Sequence, residues 1–168
     1  MKIKLITKHV NGLPIKENTD MQISYDKEYL FIEEIKYKGI KTVPINTFKI
    51  KLENIIDTIV ASEAEIIEKD KSVIGRGAIG MIAFGPVGAL LGGMSGIGKK
   101  NKKSNSYYYV ISYVSSDKEI KNVTFDINGK MILSTARGFE TKLNKILKKM
   151  GKNQKIKEEL QEELNIEL

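Results

Sequence analysis

Few residues in this 168-residue chain have types and spacings that could do chemistry. Gly75-Arg76-Gly77-Ala78-Ile79-Gly80 matches G-x-G-x-x-G and follows a β-branched run, the form of a loop that cradles phosphate. A dinucleotide site also needs a βαβ unit and an acidic residue ~20 positions further on. Residues 95–105 contain no Asp or Glu, and Gly98-Lys99 is followed by Lys100 rather than Ser or Thr. Glu33 with Glu34, and Glu63 and Glu65 with Glu68, could pair as carboxylates for acid–base work. Glu63 and Glu65 alternate on an expected strand, which is how a solvated face reads. His9 is the single histidine, and cysteine is absent. That excludes disulfides, thiolate metal ligands and a thiol nucleophile. It also excludes a multi-histidine zinc site, and leaves a Ser-His-Asp triad only if built on His9. His9 is expected to be solvated or structural. With no visible set of nucleophile, base and orienting group, no enzyme, metal or cofactor is expected.

The net charge is +7, and it is unevenly distributed. Residues 1–74 carry 12 basic and 12 acidic side chains, 75–155 carry 15 and 4, and 156–168 carry 1 and 5. Of the 28 basic residues only Arg76 and Arg137 are arginine. Arginine's fork reads base edges, whereas lysine acts as a point charge. A lysine surface therefore fits diffuse attraction to anionic lipid or polyanion. Residues 1–10 alternate lysine with Ile and Leu and hold no signal-peptide core. A cytoplasmic protein is expected, at most peripheral to the inner face of the membrane.

These features must be positioned by the surrounding elements. Residues 21–25 and 29–33 alternate apolar and polar around Asp26-Lys27, which predicts a β-hairpin. Residues 40–43 suggest a strand that Pro44 confines to an edge or an end. Residues 48–52, 55–61 and 64–67 suggest further strands. Residues 106–115 and 120–127 predict two more, separated by a turn at 116–118. Asn128-Gly129 then marks a turn. From about Gly138 the period becomes helical: Phe139, Leu143, Ile146, Leu147 and Met150 share one face, and Gly151 suits a C-cap. Ile156, Leu160, Leu164 and Leu168 predict a second short amphipathic helix or a frayed tail. The fold class is α+β, mostly β: an open barrel of antiparallel strands with a C-terminal amphipathic helix.

The barrel pattern is interrupted. Nine of the 14 glycines lie between Gly75 and Gly98, and 77–98 are 22 residues without a charge. That is long enough to cross a bilayer, although it is glycine-rich and split by Pro86. Gly88, Gly92 and Gly96 stand at i+4 steps, as do Ala89 and Gly93. Small residues at that spacing let another helix approach closely. The expectation is a helical hairpin, 78–84 and 87–94, hinged at Gly85-Pro86. Gly77, Gly80, Gly85, Pro86, Gly88, Gly92, Gly93 and Gly96 would form its self-association or membrane surface. Arg76, Lys99, Lys100, Lys102 and Lys103 would meet an anionic surface. Insertion in lipid, packing between copies of the chain, and a plain surface loop all stay open.

Tyr107, Tyr108, Tyr109 and Tyr113 lie beside the Lys99–Lys103 cluster, and basic residues with aromatics can stack single-stranded nucleic acid. On a strand, Tyr107, Tyr109 and Tyr113 share one face, so sheet packing is the expectation instead. Lys142, Lys145, Lys148 and Lys149 form a solvent-facing stripe on which the acidic tail 158–163 could dock.

The run at 10–15 (VNGLPI), the barrel-like strands and the segment 71–100 together resemble a family of small bacterial and phage proteins. That family joins a bacterial pleckstrin-homology-like domain to a glycine-zipper insertion. The resemblance covers roughly residues 8–150. It implies a pleckstrin-homology-like β-domain, placed at 1–70 and 104–151, and a glycine-zipper insertion at 71–103; the acidic amphipathic tail at 152–168 is read from its charge and periodicity. The resemblance implies the fold more than any activity; the function expected from the residues is a non-enzymatic binding or scaffold module that self-associates, associates with membranes, or both. The partners expected are a second copy of the chain, an anionic membrane surface or a host protein, with nucleic acid not expected. The alternative is a soluble phage- or prophage-encoded inhibitor that sequesters a host factor.

Overall fold

Residues 4–66 and 106–151 are described by the computed structural model. Leu5, Thr7 and His9 face inward while Ile6 and Lys8 face outward, a period-2 pattern that makes β1 (Leu5–Asn11). Then come β2 (Asp20–Tyr25), β3 (Tyr29–Lys38), β4 (Lys41–Lys51), a 3-10 turn (Leu52–Asn54) and β5 (Ile55–Ser62). After the insertion follow β6 (Tyr107–Val114), β7 (Ile120–Asp126) and helix α1 (Lys130–Met150). The seven strands form one sheet ordered β4-β3-β2-β1-β7-β6-β5. Every neighbouring pair is antiparallel. Two meanders, β1–β4 and β5–β7, therefore meet at the β1–β7 seam.

All seven strands feed one core with α1. Ala136, Phe139, Leu143 and Leu147 form the buried stripe of the helix. Phe139 sits edge-on between Tyr25 of β2 (5.1 Å between ring centroids) and Tyr109 of β6 (6.0 Å), so one helix residue clamps both meanders.

The hairpin at 21–33 and the strands near 55–61, 106–115 and 120–127 match expectation. The edge position of the Pro44 strand does too, and Gly151 closes α1 in the left-handed conformation. Several details differ. The strands expected at 40–43 and 48–52 are one strand, β4 (Lys41–Lys51), with Ile40 in the preceding turn and Leu52 in the 3-10 turn; Ile45 is an extra residue between the pairs Ile35↔Pro44 and Glu34↔Asn46. The helix begins at Lys130, eight residues before the expected start. Gly129 takes φ 112 and its carbonyl accepts the Leu133 N–H, while Gly138, open to solvent, does not break the helix. The strand expected at 64–67 is not there: residues 63–66 are helical. Ser62 Oγ accepts the Glu65 N–H and the Glu65 carboxylate accepts the Ser62 N–H (2.7 Å), a capping box that starts a helix. The tail helix expected at 156–168 lies outside the described residues.

The two edges of the sheet differ. At β5, the Val60 N–H donates to Glu140 Oε1 (3.2 Å) and Asn144 Nδ2 donates to the Thr58 carbonyl (3.0 Å). The Thr58 hydroxyl donates to Asn144 Oδ1 (2.9 Å). Glu140 and Asn144, one helical turn apart, thus occupy backbone groups that an edge strand would leave open. At β4 the edge instead carries Pro44 and the bulge at Ile45.

Two glycine substitutions should have opposite signs. A Cβ on Gly12 (φ +98) would lie 2.0 Å from the Asn122 carbonyl oxygen, so Gly12→Ala is expected to cost about 3 kcal/mol. At Gly138 a Cβ meets nothing, so Gly138→Ala should gain about 0.5–1 kcal/mol. Urea denaturation measures both. Glu140 gives a pH prediction. Burial pushes its carboxyl above the ordinary 4.5, and the Val60 N–H opposes this in part. The folded state thus holds that proton more tightly than the unfolded chain. The contribution is fully present below pH about 4.5 and is lost as pH rises through the raised value. Glu140→Gln keeps the acceptor, so its melting temperature should exceed the wild type at pH 7, with the difference shrinking below pH about 4.

Candidate functional site

The sequence-derived site is Arg76, Gly77, Gly80, Gly85, Pro86, Gly88, Gly92, Gly93, Gly96, Lys99, Lys100, Lys102 and Lys103. It lies entirely outside the described residues. The structure describes the stem that presents it. β5 and β6 pair in register up to Ser62↔Tyr107, and the Glu63 N–H donates to the Ser106 carbonyl (2.9 Å). The chain therefore leaves the sheet and returns to it at adjacent backbone positions. Ile66 is buried against Ala61 and Val110, with Ile59 and Tyr108 partly covering it, in a small cluster separate from the main core. The capping box fixes the direction in which residues 63–66 leave β5. By strand register, this stem lies at the opposite end of the sheet from the β1–β2 loop and the β3–β4 turn.

The tyrosines beside the stem are packed, as expected. Tyr109 is fully buried, and burial holds its phenol far above the usual range. Tyr108 sits in the Ile66 cluster, and burial raises its phenol with help from the Glu63 carboxylate. Arg137 lies over the Tyr107 ring at 5.7 Å. Tyr107 and Tyr113 pack at the margin of the main core.

The carboxylate pairs are engaged in structure. Glu33 accepts from Gln22 Nε2 (2.7 Å), Glu34 accepts from Asn46 Nδ2 (2.5 Å), and Glu65 caps its helical turn. Glu68 lies outside the described residues. Among the described residues no group of three or more His, Asp or Glu could hold a metal ion. His9 is structural and buried. Its Nδ1 lies 3.2 Å from the Lys16 carbonyl and its Nε2 accepts the Leu13 N–H (3.2 Å), which fixes the tautomer with the proton on Nδ1. Its backbone N–H and C=O bond Thr19 and Asn18. The β1–β2 loop is thus folded around one imidazole. Sequence reasoning missed these partners because they are backbone atoms, which no residue type announces.

Lys142, Lys145, Lys148 and Lys149 are exposed along α1, as the period predicts. Lys145, Lys148 and Lys149 line an open depression with Thr141 and Asn144. The acidic tail expected to dock there lies outside the described residues. Among those residues no helix is long and apolar enough to cross a membrane.

Because the two ends of the insertion meet at one rung, the β-domain should fold without it. A chain with 67–105 replaced by a short Gly/Ser linker should keep its far-UV circular dichroism and one cooperative transition. Loss of that transition would show that the insertion is part of the core.

Comparison with known proteins agrees with this architecture. No curated protein matches the chain. A family model described as "glycine zipper containing PH domain" matches residues 4–128, which span the seven strands and the insertion. A mostly-β antiparallel sheet followed by a C-terminal helix is consistent with a pleckstrin-homology-like fold. The chain therefore belongs to the family of glycine zipper containing PH domains.

Proposed function

We propose that this chain is a non-enzymatic binding and scaffold module. Its PH-like domain is a rigid mount, and its glycine-zipper insertion drives self-association, membrane association, or both. The observation that carries this is the stem, where Ser62↔Tyr107 is the last rung before a 77–98 run without charge. A segment so apolar and glycine-rich makes a poor isolated helix, since each glycine costs about 1 kcal/mol against alanine. Its small residues at i+4 steps suit close approach between helices, which supplies the compensating contact. Gly88, Gly92 and Gly96 are the close-packing face, Pro86 is the hinge, and Arg76 with Lys99, Lys100, Lys102 and Lys103 meet anionic groups. Family membership supports a binding role rather than a catalytic one, as does the engagement of the carboxylates in structural hydrogen bonds.

The test combines light scattering with flotation on phosphatidylserine-containing vesicles, for the full chain, the Gly92→Leu variant and the chain lacking 67–105. The full chain should form oligomers, float at high salt, or do both. Either property should fall to the level of the insertion-less chain in Gly92→Leu, with the β-domain melting temperature unchanged. A monomer that fails to float, or a Gly92→Leu variant that behaves as wild type, would overturn the proposal.

A further inference from the structure

Helix α1 carries a basic face that nothing described on the fold answers. Lys142, Lys145, Lys148 and Lys149 are exposed along its C-terminal half. Residues 130–150 contain one carboxylate, Glu140, and it is committed to the Val60 N–H of β5. Among the described residues none of these four lysines makes an ion pair.

The face is also concave. Thr141, Asn144, Lys145, Lys148 and Lys149 line an open depression of about 490 Å³. Asn144 is held by its hydrogen bonds to Thr58, which fixes the wall nearest β5. The lysine stems supply methylene walls, and their ammonium groups a cationic rim. A well-matched occupant therefore offers an apolar ridge with carboxylates beside it. A free polyanion brings the charge without the ridge.

The chain supplies such a segment directly after the helix. Gly151 caps α1 in the left-handed conformation (φ 70), which turns the backbone off the helix axis. Residues 156–168 carry 5 acidic side chains and 1 basic one. Ile156, Leu160, Leu164 and Leu168 recur at steps of four, and Glu159, Glu163 and Glu167 each precede a leucine. At helical spacing these carboxylates border the apolar ridge. An antiparallel helix pair takes a connection of about 2–5 residues, and 152–155 fits that length. With that loop Glu159 falls opposite Lys149 and Glu163 opposite Lys145, the two series stepping by four in opposite directions.

We infer that the α1 depression is the docking site of the acidic C-terminal segment of the same chain. Leu160 and Leu164 sit between the lysine stems, and Glu159 and Glu163 meet the ammonium groups of Lys149 and Lys145. The contact masks the basic face of α1 within the chain. It is separate from the glycine-rich insertion, which leaves the sheet at Ser62 and returns at Tyr107.

The chain has no cysteine, so cysteine pairs introduced into the full-length protein report proximity without background. Lys145→Cys with Glu163→Cys should close an intramolecular disulfide under oxidised glutathione, seen as a faster-migrating monomer on a non-reducing gel. Its rate should exceed that of Lys38→Cys (on the β3–β4 turn) with Glu163→Cys by at least about tenfold, because docking raises the effective concentration of the thiols. In the Lys145→Cys/Glu163→Cys background, Lys149→Glu should slow closure about threefold at low salt, and adding Glu159→Lys should restore it. The substituted positions on α1 are exposed, so unchanged circular dichroism verifies the fold. Equal rates for the two cysteine pairs would overturn the inference. Disulfide-linked dimers in place of the closed monomer, forming faster at higher protein concentration, would assign the depression to a second copy and overturn the intramolecular contact. Closure indifferent to Lys149→Glu would overturn the charge register.

Discussion

The β1–β7 seam holds the rest of the structure together. The first meander ends in β4 and the second begins at β5, and the sheet is open between them. The pairing of Lys8 with Asp126, His9 with Phe125 and Asn11 with Thr124, more than 100 residues apart in sequence, makes them one sheet. The Thr7 hydroxyl donates to the Asp126 carbonyl across this seam. The register then slips between His9 and Asn11, and Gly12 presses against the backbone of Asn122 and Val123. No side chain fits at that contact, which is the physical reason for a glycine there. His9 continues the same joint into the β1–β2 loop by giving two ring nitrogens to backbone atoms. Phe139 reinforces the joint from the core by packing against a tyrosine from each meander.

An open sheet has two edges, and the chain treats them differently. Helix α1 lies along β5 and gives Glu140 and Asn144 to its backbone. That commits the helix to one side and leaves β4 uncovered. β4 protects itself by local means, a proline and a bulge, and then runs on with β3 as a free ribbon. A two-stranded ribbon is marginal alone, and Ile35 at its base is buried.

The sheet also separates the attachment of the insertion from its own stability. Strand pairing up to Ser62↔Tyr107 closes the β5–β6 hairpin irrespective of what is inserted beyond it, because loop closure entropy grows only slowly with length. The capping box at Ser62 and Glu65 and the burial of Ile66 turn the outgoing chain onto the outer face of β5 and β6. The aromatic residues nearby serve this packing.

The sequence by itself determined the periodic elements: the 21–33 hairpin, the strand at Tyr107–Val114, the helical face of Phe139, Leu143 and Leu147, and the uncharged glycine-rich run with its basic flanks. Each is a local pattern, and local periodicity survives in any tertiary setting. The family was legible too, because its glycine-rich motif is compositional. Tertiary structure decided the remainder. β1 was not legible as the central strand, since its inward positions include Thr7 and His9, whose burial depends on partners supplied by residues 16–20 and 126. The β-branched content of 64–67 suggests a strand, whereas residues 63–66 are helical through one capping interaction. The start of α1 was displaced because Gly138 and Gly129 are the same residue type in opposite roles, and only the backbone conformation tells a cap from a helix interior.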